Sequence, residues 1–307
     1  MKRSAKTQGH LAILGANIIF GLNTPISRTI VPDMISPYSL TFIRMIGAAL
    51  LFWTTSLFIK KEHVPIKDIV LLFFASLFAI VLNQMPFIVG LSMTSPIDAS
   101  IVITILPLVS MFLAAIIIKE PITFKKAFGV FVGASGALIL ILSEHTGTIG
   151  EGNMTGNLII LASVLSYALY LSLFKKLVSR YSPITSMKWM FLFASIVSLP
   201  FCYRALAETP FTALTVNGYF RIGYVVVFAT FLAYLLIPIS QKALRPTTMT
   251  MYNYLQPIIA SCVAMVLHIG TFGMKHLLSG GLVFLGVFLV TRSKSRAQVE
   301  AEQRVEN

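Results

Sequence analysis

Apolar residues run along this chain in long unbroken blocks, not in stripes, and only short polar gaps separate the blocks. A helix needs about twenty residues, each rising about 1.5 Å, to cross a hydrocarbon layer about 30 Å thick. Ten blocks meet that length: 10–30, 37–59, 68–91, 96–118, 122–142, 154–174, 183–203, 217–240, 246–268 and 273–291. Strands of a membrane barrel would instead alternate at every second position over about ten residues. The pattern therefore predicts an all-α membrane protein of ten transmembrane helices, each satisfying its own backbone groups within lipid.

Composition agrees with the pattern. Hydrophobic residues make up 56% of the 307 and charged residues only 11%, whereas a soluble domain carries about a quarter. The net charge of +13 would suit nucleic acid only if the basic residues shared one solvated face with aromatics and polar groups. Here they fall in small clusters between apolar blocks, so nucleic acid is not an expected partner. One alternate set of loops holds Lys2, Arg3 and Lys6, then Lys60, Lys61 and Lys67, then Lys119, Lys125 and Lys126. Lys175, Lys176 and Arg180, then Lys242 and Arg245, and a tail from Arg292 continue it. The opposite set carries Asp33, Glu144, Glu151 and Glu208. Lys/Arg excess marks the cytoplasmic side, and an even number of crossings returns the chain to its starting side. Both termini are thus expected in the cytoplasm of a multi-pass protein of the cell (inner) membrane.

Lys2 and Arg3 before the apolar run from Leu11 resemble a signal peptide, but no small-residue cleavage site follows. The run continues through Asn23, Thr24 and Pro25 to Arg28 and reads as a retained first helix. Cys202 and Cys262 both lie in apolar blocks and are expected to serve in packing.

The two halves of the chain repeat each other. At an offset of 150, Pro96 through Leu106-Pro107 and Gly136 align with Pro246 through Gln256-Pro257 and Gly286. At 147, Leu11 through Phe20 meet Leu158 through Tyr167, and at 146 Ser36-Pro37 meets Ser182-Pro183. Each half holds five crossings, an odd number, so the second enters the membrane inverted. Two inverted five-helix repeats are a common plan for secondary transporters, in which mutual rocking exposes a midplane site to either side. Duplication could also serve only to make a stable bundle.

These residues carry a resemblance. His10 to Arg44, with Phe20-Gly21, Asn23, Pro25, Ser36-Pro37 and Phe42-Ile43-Arg44, resembles the opening of EamA-domain proteins of the drug/metabolite transporter superfamily. So does the stretch with Leu82-Asn83-Gln84, Ala99-Ser100, Leu106-Pro107, Lys119-Glu120-Pro121, Gly129 and Gly136. Gly156-Asn157-Leu158, Tyr167-Ala168-Leu169-Tyr170, Ala233-Tyr234 and Leu255-Gln256-Pro257 repeat it in the second half. The likeness implies ten helices forming a basket around a central cavity, lined by the first, third, fourth, sixth, eighth and ninth. It also implies transport of amino acids, other metabolites or drugs. Where the family often has an acidic residue before the proline of the ninth helix, this chain has Gln256, and His268-Ile269-Gly270-Thr271 replaces the turn after it. The resulting division is a cytoplasmic N-terminus (1–9), a first EamA-type repeat (10–142), an extracytoplasmic linker (143–153), a second repeat (154–291) and a basic tail (292–307).

Polar groups in hydrocarbon are costly and usually face the bundle interior or a wet cavity. Asn17, Gly21, Thr24 and Arg28 recur at spacings of four, three and four and share one helix face. The expected substrate cavity is built from Asn23, Asn83, Gln84, Tyr167, Tyr170, Tyr234, Asn253 and Gln256. The plainer reading of the same residues is interhelical hydrogen bonding. Arg44, Asp98 and Arg28 are the gating or structural charges. Arg44 reads as an anion anchor or gate, or as a structural ion pair or a side chain snorkelling outward. Asp98 reads as stabilising a helix N-terminus through the helix dipole, or as a proton acceptor or a partner to Arg44 or Arg28. Lys188 is expected to snorkel, and His268 is a helix-end residue with a weak claim to pH sensing.

Pro107 and Pro257 occupy equivalent helices and are the hinge candidates, since an internal proline removes a backbone bond. Gly129 and Gly133 form one GxxxG motif, a close helix contact or the face of a homodimer. No metal-ligand spacing, nucleophile motif or phosphate loop is present, so no cofactor and no enzyme activity are expected. The expected partners are a small-molecule substrate and membrane lipids. The rival readings are a receptor or scaffold that binds without transporting, and a nucleotide-sugar or lipid-linked carrier of the same superfamily.

Overall fold

The structure is a computed structural model, and it describes residues 2–28, 30–31, 34–93, 102–144, 154–266 and 274–294. Among them the ordered elements are all helical. In chain order the helices are α1 (Lys2–Arg28), α2 (Pro37–Ser56) and α3, which runs as Ile66–Ser76, a π turn Leu77–Val81, and Leu82–Met93. Next come α4 (Leu106–Ile117), α5 (Phe124–Glu144), α6 (Met154–Leu173), a short helix Lys175–Arg180, and α7 (Pro183–Ala207). Helix α8 repeats the plan of α3, as Val216–Val226, a π turn Val227–Leu232, and Ala233–Ala243. Helix α9 runs as Pro246–Met251, a 3-10 turn Tyr252–Tyr254, and Leu255–Val266, and α10 is Met274–Thr291.

Five of these are long and apolar enough to cross a membrane: α2, α3, α6, α7 and α8. Their outward faces present large apolar groups such as Leu50, Phe74, Leu158, Ile196, Phe201 and Phe220. A soluble protein buries such groups; lipid covers them here. Cys262 is exposed, which corrects its expected packing role, while Cys202 is buried as expected.

Local chemistry sets the helix starts. In α2, Ser36 is the N-cap and Pro37 the first residue, with the Ser36 hydroxyl accepting from the Tyr38 amide. In α7, Ser182 and Pro183 do the same, and the Ser182 hydroxyl accepts from the Thr185 amide at 3.1 Å. The cap oxygen satisfies an amide that has no partner in the first turn, and proline sits where its missing N–H is not needed. Helix α1 starts at Lys2, eight residues before the expected boundary, and Gly9 in that extension lies against Ala243 and Leu244. Helix α2 ends at Ser56, not at Ile59, in a turn closed by the Leu57 and Phe58 amides.

The principal helix pairs join the two halves: α5 with α10, α2 with α7, α3 with α6, and α1 with both α8 and α9. The α5–α10 contact is the closest. A Cβ on Gly286 would lie 2.6 Å from both the Gly129 carbonyl oxygen and the Gly133 nitrogen. The GxxxG face of α5 is thus filled from within the chain by α10 and α9, which is the close-contact reading of that motif.

Candidate functional site

The two π turns hold the most informative polar groups. A π turn carries one extra residue and shifts the backbone hydrogen bonds, leaving carbonyls available to other donors. In α3 the Phe78 carbonyl is taken up by α6, with Ser166 Oγ donating to it at 2.9 Å, and just past the turn Ser163 Oγ donates to the Asn83 carbonyl at 2.7 Å. Asn83 answers by donating to the Ser163 carbonyl at 3.2 Å. Gly90 and Gly156 let the same two backbones approach. This seam is closed.

In α8 the turn closes on itself. Thr230 Oγ1 donates to the Val225 carbonyl at 2.8 Å and accepts from Arg44 Nε of α2 at 2.9 Å. Gln84, just past the π turn of α3, donates from Nε2 to the Tyr234 hydroxyl of α8 at 2.7 Å. Gln84 Oε1 is buried and has no hydrogen-bond partner among the described residues. Phe20 and Phe191 meet the Tyr234 ring edge-on, at 6.1 and 5.1 Å between centroids. Arg44 is tied to Thr230, about one turn before Tyr234 on α8, and Tyr167, Tyr170 and Tyr234 share one packed cluster. Two expected residues (Gln84, Tyr234) and Arg44 therefore gather at one place.

The other expected residues sit elsewhere in the bundle. Gln256 Nε2 donates to Asn17 Oδ1 at 2.7 Å, and His10 Nδ1 lies 2.9 Å from the Tyr252 hydroxyl, so that face of α1 is packed on α9. Asn23 Oδ1 accepts from Ser27 of its own helix. The Tyr170 hydroxyl donates to Gln241 Oε1 at 3.2 Å. The side-chain amide of Asn253 and the Tyr167 hydroxyl make no hydrogen bond among the described residues, and neither is sealed. Lys188 stands 4.9 Å over the Trp53 ring, a cation–π contact that anchors it beside an aromatic surface.

Both hinge candidates adjoin breaks. The chain is turn at Thr104 and Ile105 before Pro107, and 3-10 at Tyr252–Tyr254 before Pro257. The Tyr254 hydroxyl bonds the Thr104 carbonyl at 2.9 Å, joining the two breaks. Asp98, His268 and the Arg28 side chain lie outside the described residues.

One cluster was not anticipated from the sequence as a site. After α4, Lys119 takes a left-handed backbone (φ 53°) and turns Glu120 inward. Glu120 and Lys126 pair at 2.7 Å with side chains 4% and 0% exposed. Arg245, between α8 and α9, lies 3.6 Å from the same carboxylate and donates to the carbonyls of Val290, Ser293 and Lys294 at the end of α10. Lys175 donates to the Leu244 carbonyl beside it. Burial lowers the Lys175 ammonium and the Arg245 guanidinium from their ordinary values, and the Glu120 charge acts against it. The available signal was a lone carboxylate among lysines in Lys119-Glu120-Pro121. Among the described residues no group of histidine, cysteine and acidic side chains is arranged to hold a metal.

Long apolar helices with apolar outer faces, and polar pairs and an arginine between the halves, define a multi-pass membrane protein. The EamA-like transporter family model matches residues 7–142 and again 154–292. The chain belongs to that family, and with it to the drug/metabolite transporter superfamily. An uncharacterized transporter of Archaeoglobus fulgidus is 24% identical over 260 residues, 85% of this chain and 90% of that protein. The uncharacterized transporter YetK of Bacillus subtilis is 20% identical over 289 residues, covering 93% and 86%. A solved crystal structure at 14% identity superposes with a TM-score of 0.76 over 95% of this chain and 98% of its own, a likeness of fold.

Proposed function

We propose that this chain is a secondary, non-enzymatic transporter that moves small polar or amphipathic metabolites, amino acids or related compounds, by alternating access. Ten helices in two inverted five-helix repeats form the moving parts, in the cell (inner) membrane with both termini cytoplasmic. The observation that carries the reading is the Gln84–Tyr234 hydrogen bond, which joins residues 150 positions apart, the repeat offset. Tyr254 and Thr104 make a second contact at that separation. Equivalent residues of two inverted copies can meet only near the axis relating them, where a midplane site of such a transporter lies. The π turns at Leu77–Val81 and Val227–Leu232, and the breaks before Pro107 and Pro257, support the same relation and give each repeat its own hinge. The resemblance favours export. Membrane lipid is the surrounding partner. Any homodimer uses a face other than the GxxxG stripe of α5.

Purified protein in liposomes, loaded in turn with labelled amino acids, nucleosides, sugars and cationic drugs, tests the proposal. Flux of one class, saturable and responsive to a proton gradient or counter-solute, is expected. Absence of flux under every gradient would leave the receptor or scaffold reading.

A further inference from the structure

A guanidinium carries five N–H donors, and Arg44 uses one of them. Its Nε bonds Thr230, and among the described residues no carboxylate pairs with it. Its Nη groups make no hydrogen bond there and are not sealed, so the free edge of the fork has donors to offer. A buried charge without a counter-charge is strongly unfavourable. Tyr234 accepts from Gln84 and so keeps its own hydroxyl proton to give. Gln84 Oε1, beside it, is a buried acceptor with no donor among the described residues. The cluster thus offers a planar two-donor edge, a phenolic donor and an orphan acceptor, walled by Phe20 and Phe191.

We propose that Arg44 and Tyr234 bind the carboxylate of the transported solute, and that Gln84 Oε1 receives an N–H or O–H carried close to that carboxylate. The assignment rests on the transport reading and narrows its substrate class. The fork matches a carboxylate bidentately, and the solute brings the counter-charge that no described residue gives Arg44. One cation suits a monoanion; a phosphate dianion would leave charge uncompensated. A neutral amide of the same shape leaves buried polar groups unpaired and is rejected on that ground.

The test uses the full chain in lipid nanodiscs, with phenylglyoxal labelling of arginines followed by peptide mass spectrometry. The exposed Arg204 serves as internal control. Acetate and benzoate are compared with acetamide, benzamide and inorganic phosphate. Benzoate near saturation is expected to slow Arg44 labelling by about fivefold through mass action, with little change from benzamide and none at Arg204. In Tyr234→Phe the protection by benzoate should weaken. Four results overturn the proposal: no labelling of Arg44 while Arg204 reacts, equal protection by acid and amide, no protection by either, or stronger protection by phosphate. Solute flux by the same purified protein in liposomes separates the two readings. Flux without protection removes the carboxylate site and keeps transport; protection without flux does the reverse.

Discussion

The π turns of α3 and α8 occupy the same place in each half yet are satisfied in opposite ways. In α3 the Phe78 carbonyl is bonded by Ser166 of α6, Ser163 pairs with Asn83 just beyond the turn, and glycines at Gly90 and Gly156 draw the helices together. In α8 a single threonine both closes the turn and holds an arginine from α2. One turn has become a seam and the other a mount for a charge. Duplication supplied two copies of a backbone defect, and side chains divided the work between them.

That contrast can be broken from either side. The largest effect is expected at the mount. Arg44→Met should reduce flux by about tenfold or more, while the melting temperature stays level or rises, because an apolar group in place of a half-buried charge that no described carboxylate pairs is expected to be neutral or stabilising. A sharp fall in melting temperature would make Arg44 structural. At the seam the opposite signature is expected. A Cβ on Gly156 would lie 2.9 Å from the Gly90 carbonyl oxygen, so Gly156→Ala should cost about 1–3 kcal/mol by overpacking, read in thermal unfolding. Flux per folded molecule should change little.

Smaller changes sharpen the comparison. Ser166→Ala leaves the Phe78 carbonyl without its α6 donor and should cost about 1 kcal/mol in stability, again sparing flux. Thr230→Val loses the acceptor for Arg44 Nε and should lower solute affinity by a few-fold, whereas Thr230→Ser keeps both bonds and should stay near wild type. The smallest effect joins the halves at their basic end. Burial tends to raise the Glu62 carboxylate, but hydrogen bonds from Thr185 and the Ser182 amide outweigh it and hold the group below the usual range. Its stabilising contribution is therefore present above about pH 4.3, the ordinary glutamate value, and is lost as pH falls through the depressed folded value. Wild type should lose slightly more melting temperature than Glu62→Gln over that acid window; identical curves would remove the claim.

Much of this was legible before any coordinates. Block length gave the helices, and Ser-Pro pairs gave the starts of α2 and α7, because capping is a local matter. Gln84 and Tyr234 could be singled out as costly polar groups in lipid. Their pairing follows from the three-dimensional relation of the repeats, which aligned residues suggest and do not specify. The π turns left no mark, since Leu77–Val81 and Val227–Leu232 read as ordinary apolar helix and the shift in hydrogen bonding depends on donors from other helices. Lys126 was hidden for a different reason. A lysine at a helix end normally reaches water, and only the left-handed turn at Lys119 gives it a buried carboxylate instead.

Mobile ions in the medium can reach some charge pairs of this molecule and not others. At physiological strength they damp interactions between exposed charges beyond about 8 Å and act weakly on enclosed ones. Arg204 and Glu208, exposed at 91% and 65%, are open to that damping. Glu120 and Lys126, enclosed at 4% and 0%, are shielded from it. Brine would therefore loosen the periphery of the protein while leaving the grip of Glu120 on Lys126 and Arg245 intact.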